Sequence, residues 1–307
     1  MKIVFFGSDD FALAHLKALY ASKHQVFACI TQPDRPKGRG MKTVALPIKE
    51  FALEKRIKVF QPVDYKDKTI VDELKKINAD VFVVIAYGVI LPQDVLDIPK
   101  MGSINVHASL LPKYRGAAPV NWAILNGEKE TGISIIKMNA KMDAGDIVAQ
   151  EKLKIFDNES AFELRQRLMN LGVSLLVKTL EGGINQAKSQ DAKQVTFAPK
   201  LSKELGQIDW NKPAGVIHNQ VRGLLPWPGA YTFFKRKMLK IFHTTVVDTN
   251  NEEYNVGQVT EINKEGFVVK TGHKELLVKE VHLESSKKMD ALSFTRGHNI
   301  KAGFEFK

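Results

Sequence analysis

The sequence predicts an α/β protein: a Rossmann-like, doubly wound and mostly parallel sheet, followed by a small all-β barrel of OB-like type. Three observations predict it. Short apolar runs alternate with amphipathic segments through the first half, the pattern of repeated βαβ units. A polar stretch then breaks the pattern near residue 190. Beyond it, short strands recur between turn signals at the spacing of a small barrel.

The strands of the first half are residues 2–6, 25–31, 58–60, 80–87, 103–108 and 132–138, all rich in Val, Ile and Phe. Helices are expected between them over 10–20, 67–77, 117–125 and 160–180; in the first, Phe11, Ala14, Leu16 and Leu19 fall near one face. A parallel sheet of this kind places its ligand crevice at the carboxyl ends of its strands. No dinucleotide fingerprint marks that crevice, because Gly7 is the only glycine before Gly38, and no Walker A sequence is present. The polar stretch with Asn185, Gln186, Ser189, Gln190 and Gln194 reads as a linker. After it come a helix over 213–224 and strands within 230–247, 257–262, 266–271 and 276–283. The chain therefore divides into a first domain at 1–189, a linker at 190–206 and a second domain at 207–307.

Composition narrows the function. The 307 residues, 44% hydrophobic and 26% charged, describe a globular protein rather than a disordered or fibrous one. Cys29 is the single cysteine, which excludes an intramolecular disulfide framework and any multi-cysteine metal site. Within Phe27-Ala28-Cys29-Ile30 it reads as an inert core thiol. The opening apolar run ends at Gly7, too short for a secretory signal, and no stretch approaches the roughly 18 apolar residues that span a bilayer, so a cytoplasmic protein without membrane association is expected. The net charge of +11 favours a polyanionic partner. It is spread along the chain: residues 200–307 carry 17 basic and 12 acidic side chains, the preceding 199 carry 28 and 22.

One constellation suits catalysis. Asn105 and His107 stand two apart on a predicted strand, so both side chains leave the same face at the carboxyl end, just before Leu110-Leu111-Pro112. Asp143, in Met142-Asp143-Ala144-Gly145-Asp146, follows one helix and one strand later, the length of a crossover that returns a loop to the same sheet edge. An amide, an imidazole and a carboxylate form a kit for acyl transfer to an amine. No Ser or Cys nucleophile adjoins the His in sequence, which favours direct transfer over a covalent intermediate. Asn105 would donate to the developing oxyanion, a role that typically accounts for about 10²–10³ in rate. His107 would move a proton or stabilise the same charge, and Asp143 would orient it.

These residues carry a resemblance. Asn105-Val106-His107-Ala108-Ser109-Leu110-Leu111-Pro112, with Tyr114-Arg115-Gly116-Ala117-Ala118-Pro119 and Asp143-Ala144-Gly145-Asp146, resembles the folate-dependent formyltransferases, most of all the branch acting on methionyl-tRNA. Thr31-Gln32-Pro33-Asp34-Arg35-Pro36, Ala86-Tyr87-Gly88-Val89-Ile90-Leu91-Pro92, Lys200-Leu201-Ser202-Lys203, Ile208-Asp209-Trp210 and Pro226-Trp227-Pro228 are similar to segments of that branch in the same order. The resemblance implies formyl transfer from 10-formyltetrahydrofolate, a co-substrate, to methionyl initiator tRNA, with no metal. It implies Asn105, His107 and Asp143 as the catalytic set, Ser109, Leu110, Leu111 and Pro112 as folate contacts, and a pterin pocket lined by Tyr87, Gly88, Val89, Ile90 and Leu91 and by the loop around Asp143. Two departures are visible: Gly7-Ser8-Asp9 stands where relatives carry Thr-Pro after the Gly, and Met142 where Leu is commoner.

The basic segments fit an RNA partner. Residues 32–42 hold Arg35, Lys37, Arg39 and Lys42 against Asp34, with two Pro and two Gly that argue against regular structure, so a mobile positive finger is expected, by default a solvated loop; the resemblance implies that it approaches the acceptor stem, with these four side chains as phosphate or groove contacts. Lys235, Arg236 and Lys237 would hold the same duplex farther out, a hairpin with a wet charged tip being the plain alternative. Trp122 and Trp227 read as packing residues. The chain is expected to act as a monomer. Two rival functions remain open: a formyltransferase for a small amine such as glycinamide ribonucleotide or an amino sugar nucleotide, and a non-catalytic RNA-binding protein on the same scaffold.

Overall fold

The computed structural model describes residues 1–37 and 42–306, with the backbone alone at 35–37, 42 and 43. The chain forms two compact units interleaved in sequence: 1–116, 131–153 and 166–197 make one, 117–130, 154–165 and 198–307 the other.

In the first unit, β1 (Lys2–Gly7), β2 (Gln25–Ile30), β5 (Lys58–Phe60), β6 (Val81–Ile85) and β7 (Ser103–His107) are joined by β9 (Glu130–Lys137) and β10 (Ile147–Lys154) in a seven-stranded sheet of order β10-β9-β7-β6-β1-β2-β5. Ile3, Val4, Phe5 and Phe6 of β1 are fully buried, which follows from a central position between parallel neighbours β2 and β6. The helix α1 (Asp10–Ala21) begins where the Asp9 side chain accepts from Ala12 N at 2.9 Å. A Cβ on Gly7 would lie 2.5 Å from Ala12 Cβ, so glycine stays, while Asp9 caps the helix that follows. The helix α3 (Lys68–Ile77) starts in the same way, on the Asp67 carboxylate, and ends on Asn78 in the left-handed conformation.

The basic finger contains regular structure where none is expected from its composition. β3 (Arg35–Lys37) pairs antiparallel with β4 (Lys42–Val44), Lys37 opposite Lys42. Proline is tolerated because each strand of a two-stranded ladder has an edge whose N–H groups need no partner. Arg39 lies outside the described residues, as do the side chains of Arg35, Lys37 and Lys42. The base is anchored: the Asp34 carboxylate accepts from Lys49 Nζ, and Gln61 Nε2 donates to Asp34 Oδ1 and Gln32 O at 2.9 Å each. Those donors, Lys49 first, hold the Asp34 carboxyl below its ordinary range.

Further elements are α2 (Pro47–Glu54), α4 (Gln93–Leu96), β8 (Arg115–Gly116), α5 (Pro119–Leu125), α6 (Ala161–Gly182) and β11 (Phe197–Ala198). In the second unit, α7 (Ala214–Gly223) precedes β12 (Ala230–Phe234), β13 (Lys237–Val247), β14 (Val259–Asn263), β15 (Gly266–Lys270) and β16 (Glu275–Leu283), an antiparallel sheet of order β12-β13-β16-β15-β14 with β17 (Met289–Asp290) on β16. The core holds Phe234, Phe267, Phe294, Phe306 and Trp210 around α8 (Ala291–His298). Residues 154–165 join this unit through Arg222, whose Nη1 donates to Phe156 O and Glu159 O at 3.1 and 2.9 Å. Trp227 is 51% exposed, contrary to the packing role expected of it; Trp122 donates from Nε1 to Pro199 O at 2.8 Å.

Candidate active site

The alternation of β7 separates two jobs. Ile104 and Val106 are buried on one side, and Asn105 and His107 leave the other. The neighbour that leads to Asp143 does not return by a parallel crossover. β9 runs antiparallel to β7, with His107 opposite Ser134 and Ile104 opposite Lys137, so its end lies beside the start of β7. Residues 138–146 therefore fold back to bring Asp143 to the other end. Two backbone devices shape that loop. Asp143 sits at φ 50°, and Gly145 passes so close to Lys137 that a Cβ would lie 1.5 Å from the Lys137 carbonyl oxygen.

Asn105, His107 and Asp143 meet. Asn105 Nδ2 donates to Asp143 Oδ1 at 3.3 Å, and His107 Nδ1 lies 3.6 Å from Asp143 Oδ2. The same Oδ2 accepts from Gly116 N at 2.8 Å. On its far side, His107 Nε2 lies 2.9 Å from the carbonyl oxygen of Tyr114, a residue at φ 62°. With acceptors at both nitrogens, the ring donates from Nε2 to Tyr114 and, when charged, can donate from Nδ1 toward Asp143. His107 is 6% and Asp143 13% exposed at the side chain, so donors and charge act where water screens them little.

Sequence reasoning missed Gln190, placed in the linker by its polar neighbours. Its Nε2 donates to Asp143 O and Gly145 O at 2.9 and 2.7 Å, while its Oε1 accepts from Arg115 Nε and Nη2 at 3.1 and 2.7 Å. One amide thus fixes both the Asp143 loop and the segment whose Gly116 N–H holds Asp143. An isolated amide in a polar stretch has no periodicity or motif that could have revealed it.

The segment 109–112 is held from behind. Ser109 Oγ donates to Lys113 O at 2.7 Å, Ser134 Oγ donates to Ser109 O at 2.6 Å, and Leu111 N donates to Ser134 Oγ at 3.0 Å. Gln150 Nε2 adds bonds to Ser134 Oγ and Leu111 O at 2.7 and 3.0 Å. Ser109 is fully buried and Leu111 nearly so, which leaves Leu110 and Pro112 as the accessible members. In the segment after β6, Tyr87 and Leu91 belong to the core, Gly88 and Ile90 are exposed, and Val89 packs partly on the core. The Tyr87 hydroxyl lies 2.7 Å from that of Tyr65, and burial pushes both phenols up. Gly88 at φ 76° permits Gln32 Nε2 to reach Tyr87 O at 2.7 Å, since a Cβ there would meet that nitrogen at 2.6 Å. Cys29 is buried, its thiol pushed up to about 12, as an inert core thiol requires.

A doubly wound sheet that gathers an amide, an imidazole and a carboxylate behind one strand end defines an acyl-transfer enzyme of the α/β class. Among known proteins, the family model described as formyl transferase matches residues 1–180, and that described as formyl transferase, C-terminal domain, matches residues 200–299. The chain belongs to the formyl transferase family. It is 44% identical over 306 residues to a protein of Acetivibrio thermocellus named methionyl-tRNA formyltransferase, covering 99% of this chain and 98% of that one. Its fold is similar to an N-formyltransferase from Helicobacter canadensis in complex with folinic acid and dTDP-3-aminofucose, at TM-score 0.69 and 20% identity over 91% of this chain and 98% of the other. It is also similar to HypX from Aquifex aeolicus in complex with tetrahydrofolic acid, at TM-score 0.65 and 17% identity over 96% of this chain; the chain spans about half of HypX, 47%.

Proposed function

We propose that this enzyme transfers the formyl group of 10-formyltetrahydrofolate directly to the α-amino group of methionine esterified to initiator tRNA. The observation that carries the reading is the convergence of Asn105, His107 and Asp143, in a chain whose full-length relatives bear that name. The amine attacks the formyl carbon, forming one C–N bond and a tetrahedral oxyanion. Asn105 Nδ2 has a second hydrogen to donate to that oxyanion, and His107 adds a proton or positive charge beside it. As the bond to the folate N10 breaks, the proton lost by the amine reaches N10 through Asp143 or a water it holds. The folate is a substrate here, received along Leu110, Pro112 and the backbone at 88–90, with Tyr87, Leu91, Ser109 and Leu111 supporting those walls from the core. Arg35, Lys37, Arg39 and Lys42 of the finger and Lys235, Arg236 and Lys237 of the second unit face the tRNA.

In this reading the unit of residues 1–116, 131–153 and 166–197, which includes Gln190 of the expected linker, does the chemistry and the unit that holds 207–307 binds tRNA; the chain works as a cytoplasmic monomer away from membranes. No described helix is long and apolar enough to cross a membrane.

The test supplies 10-formyltetrahydrofolate with methionyl initiator tRNA and, in parallel, with glycinamide ribonucleotide and an amino sugar nucleotide, and reads the formylated product by mass spectrometry. A mass gain on the methionyl ester alone supports the reading. A gain on a small amine, or on none, overturns it.

A further inference from the structure

The β12–β13 hairpin is built from the wrong residues for its shape. Phe234 pairs with Lys237, so the turn is only Lys235-Arg236, and both occupy the left-handed region at φ 47° and 68°. A two-residue turn of this kind favours Asn-Gly, which adopts two positive φ angles with little penalty. Two long cations carry that penalty at an exposed tip, where no burial offsets it. Residues held in sparsely populated backbone regions gather where function requires them.

What stands beside the tip indicates the ligand. Lys235 and Arg236 line an open surface depression together with Phe233, Phe304 and Glu305. The Phe304 ring is backed by Phe234, 5.4 Å between centroids, and Phe233 by Tyr231 at 5.7 Å, so both walls are braced. Cations for a phosphate, aromatic rings for a base and one carboxylate able to accept from an N–H or a ribose hydroxyl form the chemistry of a single unstacked nucleotide.

We propose that the β12–β13 turn and the Phe233–Phe304 depression form a subsite for one unpaired nucleotide of the RNA substrate, its phosphate on Lys235 and Arg236 and its base on Phe233 and Phe304. The proposal rests on the tRNA reading above. It differs from simple attraction to a duplex, which needs neither rings nor a strained turn.

Two variants of the full chain test it, each assayed for the KM of methionyl initiator tRNA across a salt series and for Tm. Lys235→Asn with Arg236→Gly installs the residues the turn prefers. Tm is expected to rise by roughly 2–4 °C, while the KM for tRNA rises about tenfold and its salt dependence becomes shallower. Phe233→Leu keeps apolar bulk but removes the ring; the KM is expected to rise about fivefold with the salt slope unchanged. Unchanged KM in the first variant overturns the subsite. A raised KM there with none in Phe233→Leu leaves only backbone attraction and also overturns it. Should the wild-type chain fail to formylate methionyl-tRNA at all, the parent reading falls instead, and the two failures are told apart by that control.

Discussion

At the scale of single residues, Asp143 decides whether the site exists. Its carboxylate touches Asn105, faces His107 and takes the Gly116 N–H, and Asp is one of the few residues that tolerate φ 50° through local hydrogen bonds. Around it, catalytic and positioning roles separate in a measurable way. In the proposed mechanism His107→Ala and Asn105→Ala each remove a group that acts on the formyl carbon or its oxygen, so turnover is expected to fall at least about 100-fold while the Tm stays within a few degrees. Gln190→Ala removes no such group but frees the carbonyls of Asp143 and Gly145, so a fall in kcat of about tenfold with little change in KM is expected. Gln190→Glu keeps an acceptor for Arg115 and loses the donor to both carbonyls; steady-state kinetics should place it with Gln190→Ala. Wild-type kcat in Gln190→Glu would show that Arg115 alone needs this side chain. That Asn105 and His107 share a face was legible from the period of two on a strand; Asp143 was placed beside them by an expected parallel crossover, whereas it arrives by the return of residues 138–146 from an antiparallel β9. Gln190 was not legible, because a hydrogen bond between an amide and distant backbone leaves no trace in spacing.

Among the elements, the apolar strands of the parallel part of the sheet were the most legible: β1, β2, β6 and β7 fall within a residue or two of their sequence reading. The missed elements have local physical reasons. β10 is largely half-buried or exposed, so it shows no apolar alternation. α8, with Ser293, Thr295 and Gly297, is poor in helix formers; it is fixed by the Asp290 cap on Ser293 N and by packing of Phe294. The antiparallel course of β9 was illegible for another reason: a strand's burial pattern is the same in either direction, and only the length of 138–146 permits the return. The β3–β4 ladder changes what the finger is expected to do. A paired base tethered through Asp34 fixes where the finger leaves and rejoins the first unit. Arg39→Ala is expected to raise the KM for methionyl-tRNA about three- to tenfold and to leave the KM for the folate in place. Equal KM values for tRNA in variant and wild type would take the finger out of RNA binding.

For the whole molecule, the charge distribution makes a claim that no single contact does. An excess of +11 lies in both halves of the sequence, five over the last 108 residues and six over the first 199. A short cationic tail would act as one detachable contact, whereas a dispersed excess meets an extended polyanion at several phosphates and releases a counterion at each. The two substrates should then respond to salt in different ways. A tRNA held by about three or four phosphate contacts loses affinity with a log–log slope near −0.7 to −0.9 per contact, so kcat/KM for methionyl-tRNA is expected to fall on the order of tenfold or more between roughly 50 and 200 mM salt. In the proposed reading the folate meets apolar walls and backbone at 88–90 and 109–112, and its KM should move by less than about twofold over the same range. Initial rates at each salt concentration, with one substrate saturating and the other varied, separate the two. Parallel slopes would mean that salt acts on the fold or on the chemical step, and that the basic surface plays no part in choosing the acceptor.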